Sequence, residues 1–259
     1  MPFVDVEDQR IYYVEYHPKD AASLPIILVH GAGGSRLDWP KEIRRLPQQR
    51  VIIPDLPGHG KSAEPGRVRV DDYAKSIACF ADALDIPCFI AAGHSMGGAI
   101  VQMLALDYGE RLAGAILIGT GARLKVHRNI LEQILVTKVE VANMLREWIW
   151  GPVATDDMRD LTYGKFMALP PTVIHGDYVA CNEFDVRERV HDIDTPTLII
   201  GAEHDKMTPL RYSQYLNEKI PDSELFVVDN AGHMMTVEEP QLVANAILNW
   251  LHRRAESKP

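Results

Sequence analysis

Only three cysteines, Cys79, Cys88 and Cys181, occur in the 259 residues, and no two stand in CxxC spacing. An odd count without paired spacing excludes a disulfide framework and a cysteine zinc site. Cys79 and Cys88 lie in apolar surroundings and are expected to be buried small hydrophobes. A basic stripe is also missing. The formal charge is −9, and the only basic clusters are Arg44-Arg45 and Arg253-Arg254. Binding to a phosphate backbone needs clustered Lys and Arg, so nucleic acid is excluded as a partner. The tail pair is expected to cap the last helix, where positive charge suits the carbonyl end of the dipole. No apolar run approaches the roughly 20 residues of a membrane span. Residues 1–15 carry Asp5, Glu7 and Asp8 and lack the basic start and apolar stretch of a signal peptide. The expectation is a cytoplasmic protein without membrane contact. No ligand spacing suits a metal, and no cofactor is expected.

What is present is ordinary globular material, 46% apolar and 24% charged residues, enough for a core without staples. Residues 3–6 and 11–16 alternate around Glu7-Asp8-Gln9 as a hairpin would. Short apolar runs follow: 26–29, which is wholly apolar and mostly β-branched, then 51–53, 89–93, 115–118, 197–200 (opened by Thr197) and 225–228. Such runs mark strands buried on both faces. Helical patterns separate them, from about Asp38, then from Asp71 to about Leu84, 96–108, 209–219 and 240–253. Alternation of this kind predicts an α/β fold, a mostly parallel sheet with helices on both faces. Residues 122–185 are the exception. They show helical periodicity over 124–149 and 156–167, are broken by Pro170-Pro171 and Gly176, and contain no strand signal. The expected organisation is a catalytic core of residues 1–121 and 186–259 with a helical cap of residues 122–185 over one end of the sheet. The last five or so residues are expected to be disordered.

Chemistry enters at Gly93-His94-Ser95-Met96-Gly97. Alone the pentapeptide Gly-x-Ser-x-Gly is weak, but here it joins a buried strand directly to a helix. In that setting the serine takes a strained turn that lifts its hydroxyl clear of the backbone, and the flanking glycines relieve the crowding. Two look-alikes fail. After Gly31-Ala32-Gly33 the third glycine of a dinucleotide fingerprint would fall at Arg36, and the first glycine of a P-loop ending Gly60-Lys61-Ser62 would fall at Asp55.

Five stretches then carry a resemblance: His30-Gly31-Ala32-Gly33, Asp55-Leu56-Pro57-Gly58-His59-Gly60-Lys61-Ser62, the serine turn, Gly201-Ala202-Glu203-His204-Asp205 with Pro209, and Ala231-Gly232-His233. In this order the chain resembles the α/β-hydrolase superfamily, in its capped subgroup of small esterases, pimeloyl-ester carboxylesterases and C–C bond hydrolases. The likeness covers nearly everything outside residues 122–185. It implies Ser95 as nucleophile, His233 as its base and Asp205 as the residue that orients the base. Asp229 is a rival acid. His94 adjoins Ser95 in an extended segment and should point to the opposite face, His30 should structure the glycine loop, and His204 should point away. The oxyanion donors implied are the backbone amides of Met96 and Ala32, with Gly33 the close alternative to Ala32. An aspartate in place of Ser95 would have implied an epoxide hydrolase or dehalogenase.

The expected activity is hydrolysis of a small-molecule carboxylic ester through an acyl-enzyme, by a monomer or homodimer. Ile130, Leu131, Ile134 and Leu135 share a helical face in residues 122–185, and Trp148 and Trp150 are candidates for the substrate pocket. Arg123, Lys125 and Arg128 cluster at the start of this segment and could meet a substrate carboxylate, although a solvated face is the plainer reading. Two rival functions share the motifs: a C–C bond hydrolase of aromatic degradation, whose members usually carry Asn where His94 stands, and a small-ligand receptor on a hydrolase scaffold.

Overall fold

Each apolar run becomes a strand in the structure, a computed structural model that describes residues 3–7, 9–18 and 24–256. In chain order the strands are β1 (Phe3–Val6), β2 (Gln9–Tyr16), β3 (Ile26–Val29), β4 (Val51–Pro54), β5 (Phe89–His94), β6 (Leu112–Ile118), β7 (Thr197–Ala202) and β8 (Ser223–Val228). They form one sheet in the order β1-β2-β4-β3-β5-β6-β7-β8. The first two strands pair antiparallel, β2 with β4 as well, and every later pair is parallel. The central strands β3, β4, β5 and β7 are buried along their whole length, whereas β8, at an edge, is mostly half-buried. Asp8 of the expected turn and residues 257–259 of the expected loose tail lie outside the described residues.

Alternation along each strand supplies two cores. Ile27, Val29 and Ile199 face the layer of α2 (Val70–Ala83), α3 (Met96–Asp107) and α8 (Leu210–Lys219). Their neighbours Ile26, Leu28, Leu198 and Ile200 face α1 (Lys41–Arg44), the short α9 (Met235–Glu238) and α10 (Pro240–Glu256). The helix expected from Asp38 is shorter than its pattern. A 3-10 turn at Arg36–Asp38 gives way to extended backbone at Trp39 and Pro40 before α1 starts. The ring of Pro40 disfavours helical backbone at the residue before it. Arg253 and Arg254 do not act as a cap alone; they pair with Glu224 and Asp222 at the start of β8.

Between β6 and β7 the chain forms α4 (Arg128–Gln133), α5 (Lys138–Trp148), α6 (Asp156–Ala168) and α7 (Pro171–Glu183). An antiparallel bridge between Arg123 and Asp185 joins the two ends of this insertion. Its own core gathers Ile130, Ile134, Val141, Leu145, Ile174 and Tyr178. Leu135 falls outside that stripe and is 52% exposed, because α4 stops at Gln133. Pro170-Pro171 does punctuate the segment, with Pro171 opening α7. Gly176 does not: it lies inside α7, where a Cβ would stand 2.9 Å from the Arg67 carbonyl oxygen, so glycine serves close packing there. Of the cysteines, Cys79 and Cys88 are half-buried and only Cys181 is buried. No helix among the described residues is long and apolar enough to cross a membrane.

Phe80 on α2 is almost fully buried and meets the Tyr13 ring edge-on at 5.5 Å, which ties α2 to β2. Phe80→Ala should therefore destabilise the fold by about 3–5 kcal/mol. Urea unfolding should show a lower midpoint with an unchanged slope; an unchanged midpoint would mean that this layer is not packed as described.

Candidate active site

Strands β3 and β5 are neighbours, yet the chain leaves β3 toward α1 on one face and β5 toward α3 on the other. A crevice opens where the connections of adjacent parallel strands diverge. The loop 30–34 and the turn at Ser95 flank it. Ser95 has φ +56° and ψ −117°, backbone that a non-glycine residue adopts at a cost of about 1–3 kcal/mol. Its amide donates to the Ile118 carbonyl at 2.9 Å. A Cβ on Gly93 would stand 2.1 Å from the Gly97 oxygen, and one on Gly97 2.1 Å from the Val29 oxygen. Only glycine at both positions lets the turn press against β3.

Three loops at the same end of the sheet bring Ser95, His233 and Asp205 into line. His233 Nε2 lies 3.0 Å from Ser95 Oγ, and His233 Nδ1 lies 2.9 Å from Asp205 Oδ2. Asp205 Oδ1 accepts from the Met207 and Thr208 amides, both at 2.8 Å, and Oδ2 also accepts from Thr208 Oγ1 at 2.7 Å. Burial alone would raise the Asp205 pKa, but the His233 charge and hydrogen bond and the Thr208 donors outweigh it and hold the carboxyl below its usual range. An ionised Asp205 requires a hydrogen on His233 Nδ1, which leaves the Nε2 lone pair for the Ser95 hydroxyl. Thr208 was not foreseen, although a hydroxyl three residues after an acid is a legible signal.

The other histidines separate cleanly. His94 Nε2 donates to the His233 carbonyl at 2.8 Å, and burial, with the nearby His233, lowers its pKa to about 4. It braces the His233 backbone and does not approach Ser95 as a base. His30 Nε2 accepts from the Leu56 amide at 3.0 Å, so its hydrogen sits on Nδ1, facing the Gly31 carbonyl at 2.9 Å. Burial and the charge on His59 push it down to about 4. His204 is exposed beside Glu203.

Two backbone amides beside Ser95, those of Ala32 and Met96, have no hydrogen-bond partner among the described residues. The Gly33 amide differs, because it donates to Asp177 Oδ2 at 2.8 Å. Asp177 belongs to α7 of the insertion and is fully buried. It also accepts from Tyr73 Oη at 2.7 Å and from His59 Nε2 at 2.8 Å. A second buried carboxylate, Glu238, accepts from the Gly151 amide at 2.7 Å and the Gly232 amide at 2.9 Å. It joins the insertion to the loop that carries His233. Burial raises the Glu238 pKa despite these two donors. Neither carboxylate announces its role in the sequence, since their partners lie far along the chain.

A cavity of about 630 Å³ spans the crevice and the insertion. Ser95, His233 and Ala32 line it, with Ile130, Leu145, Trp148, Trp150 and Phe166 from the insertion. Trp150 is buried, while Trp148 is half-buried and meets His127 edge-on at 5.5 Å. Of the three cations at the start of the insertion, Lys125 and Arg128 line the cavity, but Arg123 lies outside it, 3.6 Å from Asp185. Arg123 is drawn away by the bridge that closes the insertion. Among the described residues no group of three or more His, Cys, Asp or Glu is placed to hold a metal.

A sequence model of the family described as the alpha/beta hydrolase fold matches residues 25–240. The chain belongs to the α/β-hydrolase family. This α/β hydrolase is 29% identical over 257 residues to 3-oxoadipate enol-lactonase 2 of Acinetobacter baylyi, covering 95% of each chain. It is 28% identical over 248 residues to 2-hydroxymuconate semialdehyde hydrolase of Pseudomonas putida, covering 88% of this chain and 86% of that one. Among solved structures, a thermophilic esterase superposes with a TM-score of 0.85 at 27% identity, covering 97% of each chain. Hydrolysis is the activity that these relatives share.

The buried pair of His59 and Asp177 makes a pH prediction. Burial would lower the His59 pKa, but the Asp177 charge and hydrogen bond, the Pro57 carbonyl and the Asp55 charge outweigh it, and the net shift is upward. A raised folded pKa means that the pair's stabilisation is complete below the ordinary imidazole value and is lost as pH rises through the folded value. Scanning calorimetry from about pH 6 to about pH 10 should show His59→Gln well below the wild type at the acid end, the gap narrowing with pH. A constant gap would mean that His59 carries no extra proton in the folded protein.

Proposed function

We propose that this α/β hydrolase cleaves carboxylic esters through an acyl-enzyme on Ser95. The observation that carries the reading is the continuous path from Asp205 through His233 to Ser95, at 2.9 and 3.0 Å, beside two unpartnered amides. His233 Nε2 takes the Ser95 proton as Oγ bonds to the ester carbonyl carbon. The carbonyl oxygen gains the negative charge and is met by the Ala32 and Met96 amides, each such donor contributing about 10²–10³ in rate. When the tetrahedral centre collapses, the imidazolium gives its proton to the departing alcohol. Water repeats the cycle: His233 takes a proton from it, the hydroxide oxygen bonds to the acyl carbon, and Ser95 recovers its hydrogen as the acid leaves. Asp205, ionised and held by four donors, keeps the imidazole in the required tautomer.

Residues 122–185 act in this reading as a cap that chooses the acyl group. Its contribution to the cavity includes Ile130, Leu145, Trp148, Trp150 and Phe166, a wall that suits small to medium apolar chains. Each methylene received by such a wall contributes about 0.8 kcal/mol, roughly a fourfold gain in kcat/KM. Arg123 is engaged at the insertion's neck, which removes one carboxylate anchor that a C–C bond hydrolase could use.

Ser95→Ala should lower turnover of p-nitrophenyl butyrate by several orders of magnitude with the fold intact, and His233→Ala similarly. Asp205→Asn should lose most activity by favouring the wrong tautomer. Full activity in either of the first two variants would refute the assignment. Across an ester series, kcat/KM should rise from acetyl to butyryl or beyond and then drop where the roof closes. Trp148→Ala or Trp150→Ala should move that limit to longer chains. Faster turnover of an anionic dienoic keto acid than of butyrate esters would overturn the ester reading while leaving the triad in place.

A further inference from the structure

The carboxylate of Asp177 and the ring of His59 are both fully buried, and neither takes part in the proposed chemistry. A buried ion pair is weak evidence for stability, because well-packed apolar side chains of similar volume often serve the fold as well. The pair's geometry points to another use. Asp177 Oδ2 accepts at 2.8 Å from both Gly33 N and His59 Nε2, and Oδ1 accepts at 2.7 Å from Tyr73 Oη. His59 Nδ1 faces the Pro57 carbonyl at 3.0 Å, so both ring nitrogens face acceptors and both must carry hydrogen. A fixed imidazolium thus neutralises a fixed carboxylate, and that carboxylate reaches from the insertion to an amide of the glycine loop. Gly33 has φ +64°, and the loop is further tied by Gly34 N to the Gly31 carbonyl at 3.1 Å. Ala32 sits between these anchors with its amide unpartnered. With Gly33 N held, the short span between the two anchors has little freedom, and a loop movement that released Gly33 N would let the adjoining 31–32 peptide turn and re-aim the Ala32 amide.

We propose that Asp177 is a positioning residue for the glycine loop: by holding Gly33 N, it keeps the Ala32 amide turned toward the oxygen of the reacting carbonyl. The proposal rests on the ester-hydrolase reading, in which that amide is an oxyanion donor. It makes the insertion a structural part of the charge-stabilising apparatus, beyond its role as a roof. It also accounts for the choice of Ala32 over Gly33, whose amide Asp177 occupies.

The test compares Asp177→Ala, Asp177→Asn and Tyr73→Phe with the wild type. Two readouts are used: ester kinetics, and inhibition by a trifluoromethyl ketone against the matching methyl ketone. The fluorinated ketone forms a tetrahedral oxyanion on Ser95, whereas the plain ketone reports ground-state binding. Asp177→Ala should lower kcat about 10- to 100-fold with KM nearly unchanged, and should lose preference for the fluorinated ketone by a similar factor. Asp177→Asn keeps an acceptor for Gly33 N and should recover most of both. Tyr73→Phe removes a donor that does not touch the loop; it should lower Tm while kcat stays within about threefold. A folded Asp177→Ala with wild-type kcat and ketone preference would overturn the proposal, as would an Asp177→Asn no better than the alanine variant. If the wild type itself showed no preference for the fluorinated ketone, the oxyanion reading would fail and this proposal with it. Should Asp177→Ala not fold, amide exchange in the wild type decides. The Gly33 amide should be strongly protected, and exchange at the rate of a free loop amide would refute the proposal.

Discussion

The site depends on one contact between backbones: the turn at Ser95 pressed against the end of β3. Gly97 sits so close to the Val29 carbonyl that a single added carbon would overlap it. That proximity exists because β3 and β5 pair in parallel register, Val29 opposite Gly93, while their outgoing chains part to opposite faces. The strain at Ser95 follows from the same geometry. A relaxed turn would need more room than the neighbouring strand leaves, so the hydroxyl is held up in the crevice by the packing of the sheet. Everything else is arranged around this fixed point, from the glycine loop on one side to the His233 loop on the other.

Two buried carboxylates extend that rigidity into the insertion. Asp177 comes from α7 and reaches into the core to hold the glycine loop, while Glu238 comes from the core and holds the Trp150-Gly151 turn and the His233 loop together. Both accept backbone N–H groups that would otherwise be buried without partners, a substantial penalty in a low-dielectric interior. The bridge between Arg123 and Asp185 ties the two ends of the insertion to each other, and the two carboxylates hold its Gly151 turn and α7 to the core. The insertion's wall of the cavity is therefore built on the same supports as the Ser95, His233 and Asp205 array.

Much of this was legible in the amino acids. Parallel strands buried on both faces must read as continuous apolar runs, so runs such as Ile26-Ile27-Leu28-Val29 located β3 to β8, while alternation located the antiparallel β1 and β2. Glycine spacing around Ser95 reports a steric limit that is local in sequence. The residues missed are those whose meaning lies in a distant partner. His59 and Asp177 stand 118 positions apart, and no local pattern distinguishes them from a loop histidine and a helix aspartate. Gly176 read as a helix breaker because propensity is local, whereas its use is to let α7 approach the Arg67 carbonyl. Arg123 read as a solvated cation, or one for a substrate carboxylate, because Asp185 is adjacent only after the insertion closes.

The central claim is that the backbone turn presents Ser95 as the nucleophile and that His233 activates it. The most direct test is peptide mapping by mass spectrometry after treatment with a fluorophosphonate, on the wild type and on His233→Ala. The account predicts one phosphonylated residue, Ser95, in the wild type, with labelling slowed by orders of magnitude in the variant. Modification of a different residue, or equally fast labelling of Ser95 without His233, would contradict it.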